Sequence, residues 1–215
     1  MGRMKAVILC DGDPPPKWLA EREVGGADLF IAADGGGNTA RELKLTPDLV
    51  IGDLDSYVPG PERDIEVLQD KDQETNDLEK ALSYAVERQV EEVILLGASG
   101  RRLDHTLKNL SVMKQFFSAF QKLEMVDRFG KTFLLPKNEE VAIPVKPGTA
   151  VSLFPLSGKV EGIVTEGLKY PLKNEPLENG VRDGSSNEAE SSPVTLQYKT
   201  GDLLVFIAHS QTTSE

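Results

Sequence analysis

The stretch "EVILLGASGRRLDHTLKNL", residues 92–110, decides how the chain is to be read. It opens on an apolar run too short for a helix, turns on Gly97 and Gly100, and passes through Arg101, Arg102, Asp104 and His105 into a helix. Strand, glycine loop, helix is the repeating unit of an open parallel sheet, and such sheets bind ligands on the loops beyond the carboxyl ends of their strands. Glycines there let backbone N–H groups approach phosphate oxygens. A helix start adds positive potential, and arginine offers paired donors, so the loop has the makings of an anion cradle. A plain glycine turn with surface arginines is the simpler alternative.

Outward from this segment the same strand pattern recurs. "KAVILC", "LFIAAD", "DLVIGD" and "LEMVD" are short, rich in Val, Ile and Leu, and several end in Gly or Asp. Between them, Leu78, Ala81, Leu82, Ala85 and Val86 repeat at helical spacing and predict a helix over 77–89, with Asn76 and Glu79 as its start cap. Residues 1–128 therefore read as an α/β domain with a doubly wound, mostly parallel sheet. From Phe129 the runs "TFLLP", "EVAIPV", "AVSLFPL", "KVEGIV", "VTLQYK" and "LLVFIAH" lack a helical period and are separated by Gly, Pro and Asn. Residues 129–215 read as an all-β sandwich domain. Within it, residues 172–193 carry almost no apolar side chains, and composition favours a mobile loop.

With 24 basic and 35 acidic residues the net charge is −11, which repels nucleic acid and anionic membrane surfaces alike. A small anionic ligand would need local cations or a metal. The single cysteine, Cys10, cannot form an internal disulfide and fits a reducing, cytoplasmic setting. No run approaches the ~18 apolar residues of a membrane span, so neither an anchor nor a leader is expected.

Carboxylates cluster on the loops after strands. In "PDLVIGDLDSY", residues 47–57, Asp53 and Asp55 follow a buried strand. Like charges about 4 Å apart repel by roughly 4 kcal/mol at an effective dielectric near 20, so a cleft tolerates them only with a cation between, and magnesium is the natural one. A solvated acidic turn is the bland alternative. In "KDQETNDLEKAL", residues 71–82, Asp72, Glu74 and Asp77 precede or open a helix, where acids also serve as dipole partners. Gln73 and Asn76 add neutral polar contacts, and Lys71 adds a local cation. "AADGGGNTA", residues 32–40, matches a dinucleotide fingerprint through Gly35, Gly37 and Ala40, but follows the second strand rather than the first, which weakens an oxidoreductase reading. No Walker loop and no zinc set of the usual type can be assembled.

Taken in order, "ADGG" with Asn38, "GDLDS", "DQETND" and "GASGRRLDH" with Asn109 resemble the thiamine pyrophosphokinase family over nearly the full length. "GLKYPL" and "SSNE" in the second half resemble its thiamine-side segments, which makes the polar 172–193 segment functional by resemblance. The resemblance implies transfer of pyrophosphate from ATP to thiamine, giving thiamine diphosphate and AMP, in a homodimer with active sites at the subunit interface. It implies that Asp53, Asp55 and Asp77 hold Mg2+, with Arg102 and Asp104 also catalytic. Deprotonation of the attacking alcohol asks for a base, and a carboxylate, Asp77 or Asp104, is the expected acceptor. Asp34, Gly35, Gly36, Asn38, Lys71, Asp72, Gln73, Asn76, Gly97, Gly100, Arg102, His105 and Asn109 would surround ATP. Leu168, Lys169, Tyr170, Ser186 and Asn187 would face thiamine. Two positions depart from the family's usual pattern, Asn76 for Thr and Arg101 for Gly. A pyrophosphokinase acting on another alcohol, such as a hydroxymethyl pterin, and a non-catalytic nucleotide or vitamin binder are the competing functions.

Overall fold

The computed structural model describes residues 2–61 and 65–209, and divides into two compact units, Met1–Arg128 and Phe129–Glu215. The expected second domain ends at 215, so its residues 210–215 lie outside the described part.

The first unit carries β1 (Lys5–Leu9), α1 (Lys17–Val24), β2 (Leu29–Ala33), α2 (Gly36–Glu42), β3 (Leu49–Gly52), β4 (Glu66–Gln69), α3 (Asp77–Glu87), β5 (Glu92–Leu96), α4 (Leu103–Phe116) and β6 (Lys122–Val126). All six strands are parallel, in the order β4-β3-β2-β1-β5-β6. Ala6, Val7, Ile8 and Leu9 are all fully buried, because helices cover both faces of the sheet; this is why its strands read as unbroken apolar runs. On one face Val7, Leu9, Ile94 and Leu96 pack with Leu19 and Ala20 of α1 and Ala40 of α2. α3 packs on β1, β2 and β3.

β4 was not legible as a strand: all four of its residues are exposed, and pairing with β3 alone makes it an edge strand. The chain builds outward from β1 through β2 and β3 to β4, then returns by α3 to place β5 on β1's other side. That reversal makes β1 the switch point of the sheet, and ligands of such sheets bind on the loops beyond the carboxyl ends of the strands there.

Among its described residues the second unit is all-β: β7 (Gly130–Leu134), β8 (Val141–Ile143), β9 (Ala150–Glu166), β10 (Lys173–Leu177), β11 (Gly184–Glu188), β12 (Val194–Gln197) and β13 (Thr200–Ala208). The two expected runs 150–156 and 159–164 are one 17-residue strand, β9. Its first half pairs with β11 and β13, and its second half with β10 and β12. β13 pairs onward to β7 and β12 to β8, so β9 belongs to both layers around a core that includes Val151, Leu153, Val160, Ile163, Leu203 and Val205.

The polar 172–193 segment is not a mobile loop. It supplies β10 and β11, because β9 offers backbone partners that need no apolar side chains; only Leu172, Leu177, Asn187 and Ala189 are buried there.

Candidate active site

The loops after β1, β2, β3 and β5 and the starts of α3 and α4 enclose a cleft of about 430 Å³ in the first unit. Its lining includes Asp11, Asp34, Asp53, Asp55, Asn76, Asp77, Gly100, Arg101, Arg102, His105 and Asn109.

Three carboxylates converge in it. Asp34, Asp53 and Asp77 each place an oxygen within 4.8 Å of the others. Asp34 leaves β2 with a positive φ of 42°, is nearly fully buried, and accepts from the backbone N–H groups of Ser56 (3.2 Å) and Tyr57 (3.2 Å). Asp77 opens α3, and its Oδ1 accepts from the Asp53 N–H at 3.3 Å. Gly52 permits this approach: a Cβ there would lie 2.8 Å from Asp34 Cβ and 2.9 Å from Asp77 Oδ1.

The expected trio was Asp53, Asp55 and Asp77. Instead Leu54 takes a left-handed conformation, φ 66°, and the turn leaves Asp55 exposed on the rim. There its N–H donates to Asp53 Oδ1 and its carboxylate accepts from Ser56 Oγ. Asp34 takes the third place in the cluster.

The charges in the cluster are split. Burial pushes Asp34 above the usual carboxylate range, with Asp77 adding to the effect. Burial likewise raises Asp77, opposed by Lys80 and reinforced by Asp53. Asp53 is held low by the Asp55 N–H and by Gln73, whose Nε2 lies 3.2 Å from its Oδ2. Lys80, with a side chain only 3% exposed, sits behind the group with Nζ 3.5 Å from Asp77 Oδ1. Crowded, partly desolvated oxygen donors are what a hard dication selects, and this set fits magnesium.

The β1 and β5 loops are fixed by backbone. Gly12 N donates to Gly97 O (2.7 Å) and Asp13 N to Ser99 O (2.8 Å), tying the β1 loop to the β5 loop. Gly97 has φ +60°, and a Cβ there would fall 2.5 Å from Cys10 O. Asn76 caps α3 through Glu79 N in a capping box, and its Nδ2 reaches Asn109 Oδ1 at 3.2 Å. Asn109 in turn donates to Ala98 O at 2.9 Å, so one chain of amides joins α3, α4 and the β5 loop. Arg102 and Asp104 pair with each other in the open, which lowers the Asp104 pKa and makes it a weak proton acceptor. Cys10, buried beside Asp77 and Asp11, has its thiol pushed up to about 12 by burial.

Several expected nucleotide contacts lie outside the cleft lining. Gly36 is packed under Leu9 O, which a Cβ would meet at 2.0 Å. Gly35 lies against Asp11. Asn38 ties the loop after β3 by donating to Ser56 O and accepting from Val58 N. Lys71 and Asp72 are exposed on the loop before α3.

In the second unit, Tyr170 and Asn187 are joined by two hydrogen bonds: Tyr170 N donates to Asn187 Oδ1, and Asn187 Nδ2 donates to Tyr170 O at 2.8 Å. Tyr170 keeps its ring 65% exposed, Leu168 is buried, Lys169 N donates to Glu188 O, and Ser186 N donates to Ser152 Oγ. Sequence reasoning passed over Asp11, although "CDGD" follows a strand as the other site loops do. It also passed over Lys80, which stands outside the apolar repeat of Leu78, Ala81, Leu82 and Ala85 yet is buried.

Residues 20–126 match the family described as "Thiamin pyrophosphokinase, catalytic domain", and residues 134–203 match "Thiamin pyrophosphokinase, vitamin B1 binding domain". The chain belongs to the thiamine pyrophosphokinase family. It is 29% identical to the thiamine pyrophosphokinase of Bacillus subtilis (strain 168), over 94% of this chain and 98% of that protein. The solved structure of the Geobacillus thermodenitrificans family member superposes with a TM-score of 0.82 at 26% identity, covering 97% of this chain and 99% of that one. The yeast family member shares the fold with a TM-score of 0.84 at 18% identity, covering 97% of this chain and 87% of the yeast chain.

Proposed function

We propose that the chain is a magnesium-dependent enzyme that transfers the pyrophosphoryl group of ATP to the hydroxyl of thiamine, yielding thiamine diphosphate and AMP. The observation that carries this reading is the joining of a convergent carboxylate cluster to a glycine-and-arginine loop at the switch point of a parallel sheet, in a chain of this family. Phosphoryl-type transfer asks a protein for alignment and charge neutralisation rather than covalent chemistry.

Asp34, Asp53 and Asp77 would hold magnesium, with Asp55 at the rim, and the bound ion supplies charge neutralisation on the phosphate oxygens. The β5 loop, with Arg102, His105 and Asn109 beside it, orients the polyphosphate. Tyr170 and Asn187 present a polar, aromatic edge suited to a thiamine ring.

We also infer a cytoplasmic homodimer with active sites at the subunit interface. Leu103 and Leu107, one helical turn apart on α4, are 71% and 58% exposed, which suits a protein contact. No helix among the described residues is long and apolar enough to cross a membrane.

The test is incubation with ATP, magnesium and thiamine, quantifying AMP and thiamine diphosphate, beside a hydroxymethyl pterin control. Product from thiamine alone supports the proposal. Product from the pterin alone moves the specificity elsewhere, and binding without AMP release reassigns the chain as a sensor.

A further inference from the structure

Arg101 is the one arginine of the cleft whose backbone is held in the left-handed region, φ 49°, where residues with a Cβ are disfavoured. Its guanidinium reaches from the β5 loop to the adjoining β1 loop, which backbone hydrogen bonds hold beside it. There it donates to Asp11 O at 2.9 Å and pairs with the Asp11 carboxylate. Both side chains are close to half exposed, so the pair is a weak and reversible one.

The lining carries five aspartates, Asp11, Asp34, Asp53, Asp55 and Asp77, against two permanent cations, Arg101 and Arg102. Arg102 pairs with Asp104 two residues on and is 70% exposed, whereas Arg101 is tied to Asp11 of the neighbouring β1 loop. A polyphosphate entering here meets a guanidinium that lines the cleft and is engaged by a single, partly solvated carboxylate. A planar fork suits phosphate oxygens as well as it suits a carboxylate.

We propose that Arg101 binds the polyphosphate of the nucleotide and that Asp11 competes for the same guanidinium, so that the pair sets how strongly the cleft prefers a triphosphate to a monophosphate. This rests on the nucleotide-binding reading above and adds a specificity residue to it.

The test is calorimetric binding of a non-hydrolysable ATP analogue and of AMP, with magnesium, to the full chain and to Arg101→Gly, Arg101→Lys, Asp11→Asn and the Arg101→Gly/Asp11→Asn double variant. Arg101→Gly weakens the analogue about tenfold and AMP less than about twofold. Its stability to urea is unchanged or higher, because glycine accepts the left-handed backbone. Arg101→Lys recovers part of the affinity. Asp11→Asn strengthens the analogue about threefold by freeing the guanidinium, and this gain is absent from the double variant.

Equal losses for both nucleotides in Arg101→Gly, or no loss, overturn the proposal. So does an Asp11→Asn gain that survives without Arg101, which would mark a general field effect. If the parent chain binds neither nucleotide, the nucleotide reading falls with it; if the parent binds the analogue and the variants behave alike, only the Arg101 assignment falls.

Discussion

Replacing Lys80 by Met removes the one buried cation behind the aspartate cluster while keeping a side chain of similar length. The Lys80 Nζ lies 3.5 Å from Asp77 Oδ1, a separation worth about 5 kcal/mol at an effective dielectric near 20 and about 1 kcal/mol in bulk water. Because the Asp77 side chain is 35% exposed, a net loss of about 2 kcal/mol is expected, part of the Coulomb attraction being screened and part offset by relief from desolvating the ammonium.

The loss has a defined pH dependence. Asp77 has its folded pKa raised, mainly by burial, and without Lys80 it rises further. A carboxylate with a raised folded pKa favours the folded state once protonated, and that contribution disappears as pH rises through the folded pKa. The Lys80→Met deficit is therefore full near neutral pH and shrinks as pH falls through the raised Asp77 pKa. Urea denaturation followed by circular dichroism at about pH 7 and about pH 4 measures both limbs. A variant as stable as the parent near neutrality, or equally destabilised at both pH values, would refute the idea that Lys80 makes the cluster tolerable. Millimolar magnesium recovers part of the loss if the cluster holds the ion.

Asp34→Asn and Asp53→Asn each lower magnesium-dependent turnover about 100-fold or more, whereas Asp55→Asn, on the rim, lowers it about tenfold or less; magnesium titration calorimetry separates lost affinity from lost chemistry. An Asp55 effect as large as that of Asp53 would return the ligand role to the D-x-D turn. Asn76→Ala loses the α3 cap and the Asn109 contact together and destabilises by about 1 kcal/mol, while Asn76→Ser keeps most of the cap; urea midpoints distinguish them.

The sequence by itself determined whatever depends on burial and local backbone chemistry. β1, β2, β3, β5 and β6 were readable because strands covered on both faces are dominated by apolar residues, and α3 because its period and its Asn76–Glu79 box are local. β4, β10 and β11 were not readable as strands, since their stability comes from hydrogen bonds to a neighbouring strand that no side-chain pattern records.

The same division runs through the site. Sequence placed Asp53, Asp77 and the glycine loop beyond strand ends, where ligands bind. Only tertiary structure decided that Asp34 rather than Asp55 completes the cluster, because that choice turns on the left-handed Leu54 and on a glycine at 52 small enough to let α3 approach. Arg101 and Asp11, 90 residues apart in the chain, meet because the strand order brings β1 and β5 side by side. Attraction and repulsion between charges depend on distance in space, and that distance is set by packing, which local patterning constrains but does not specify.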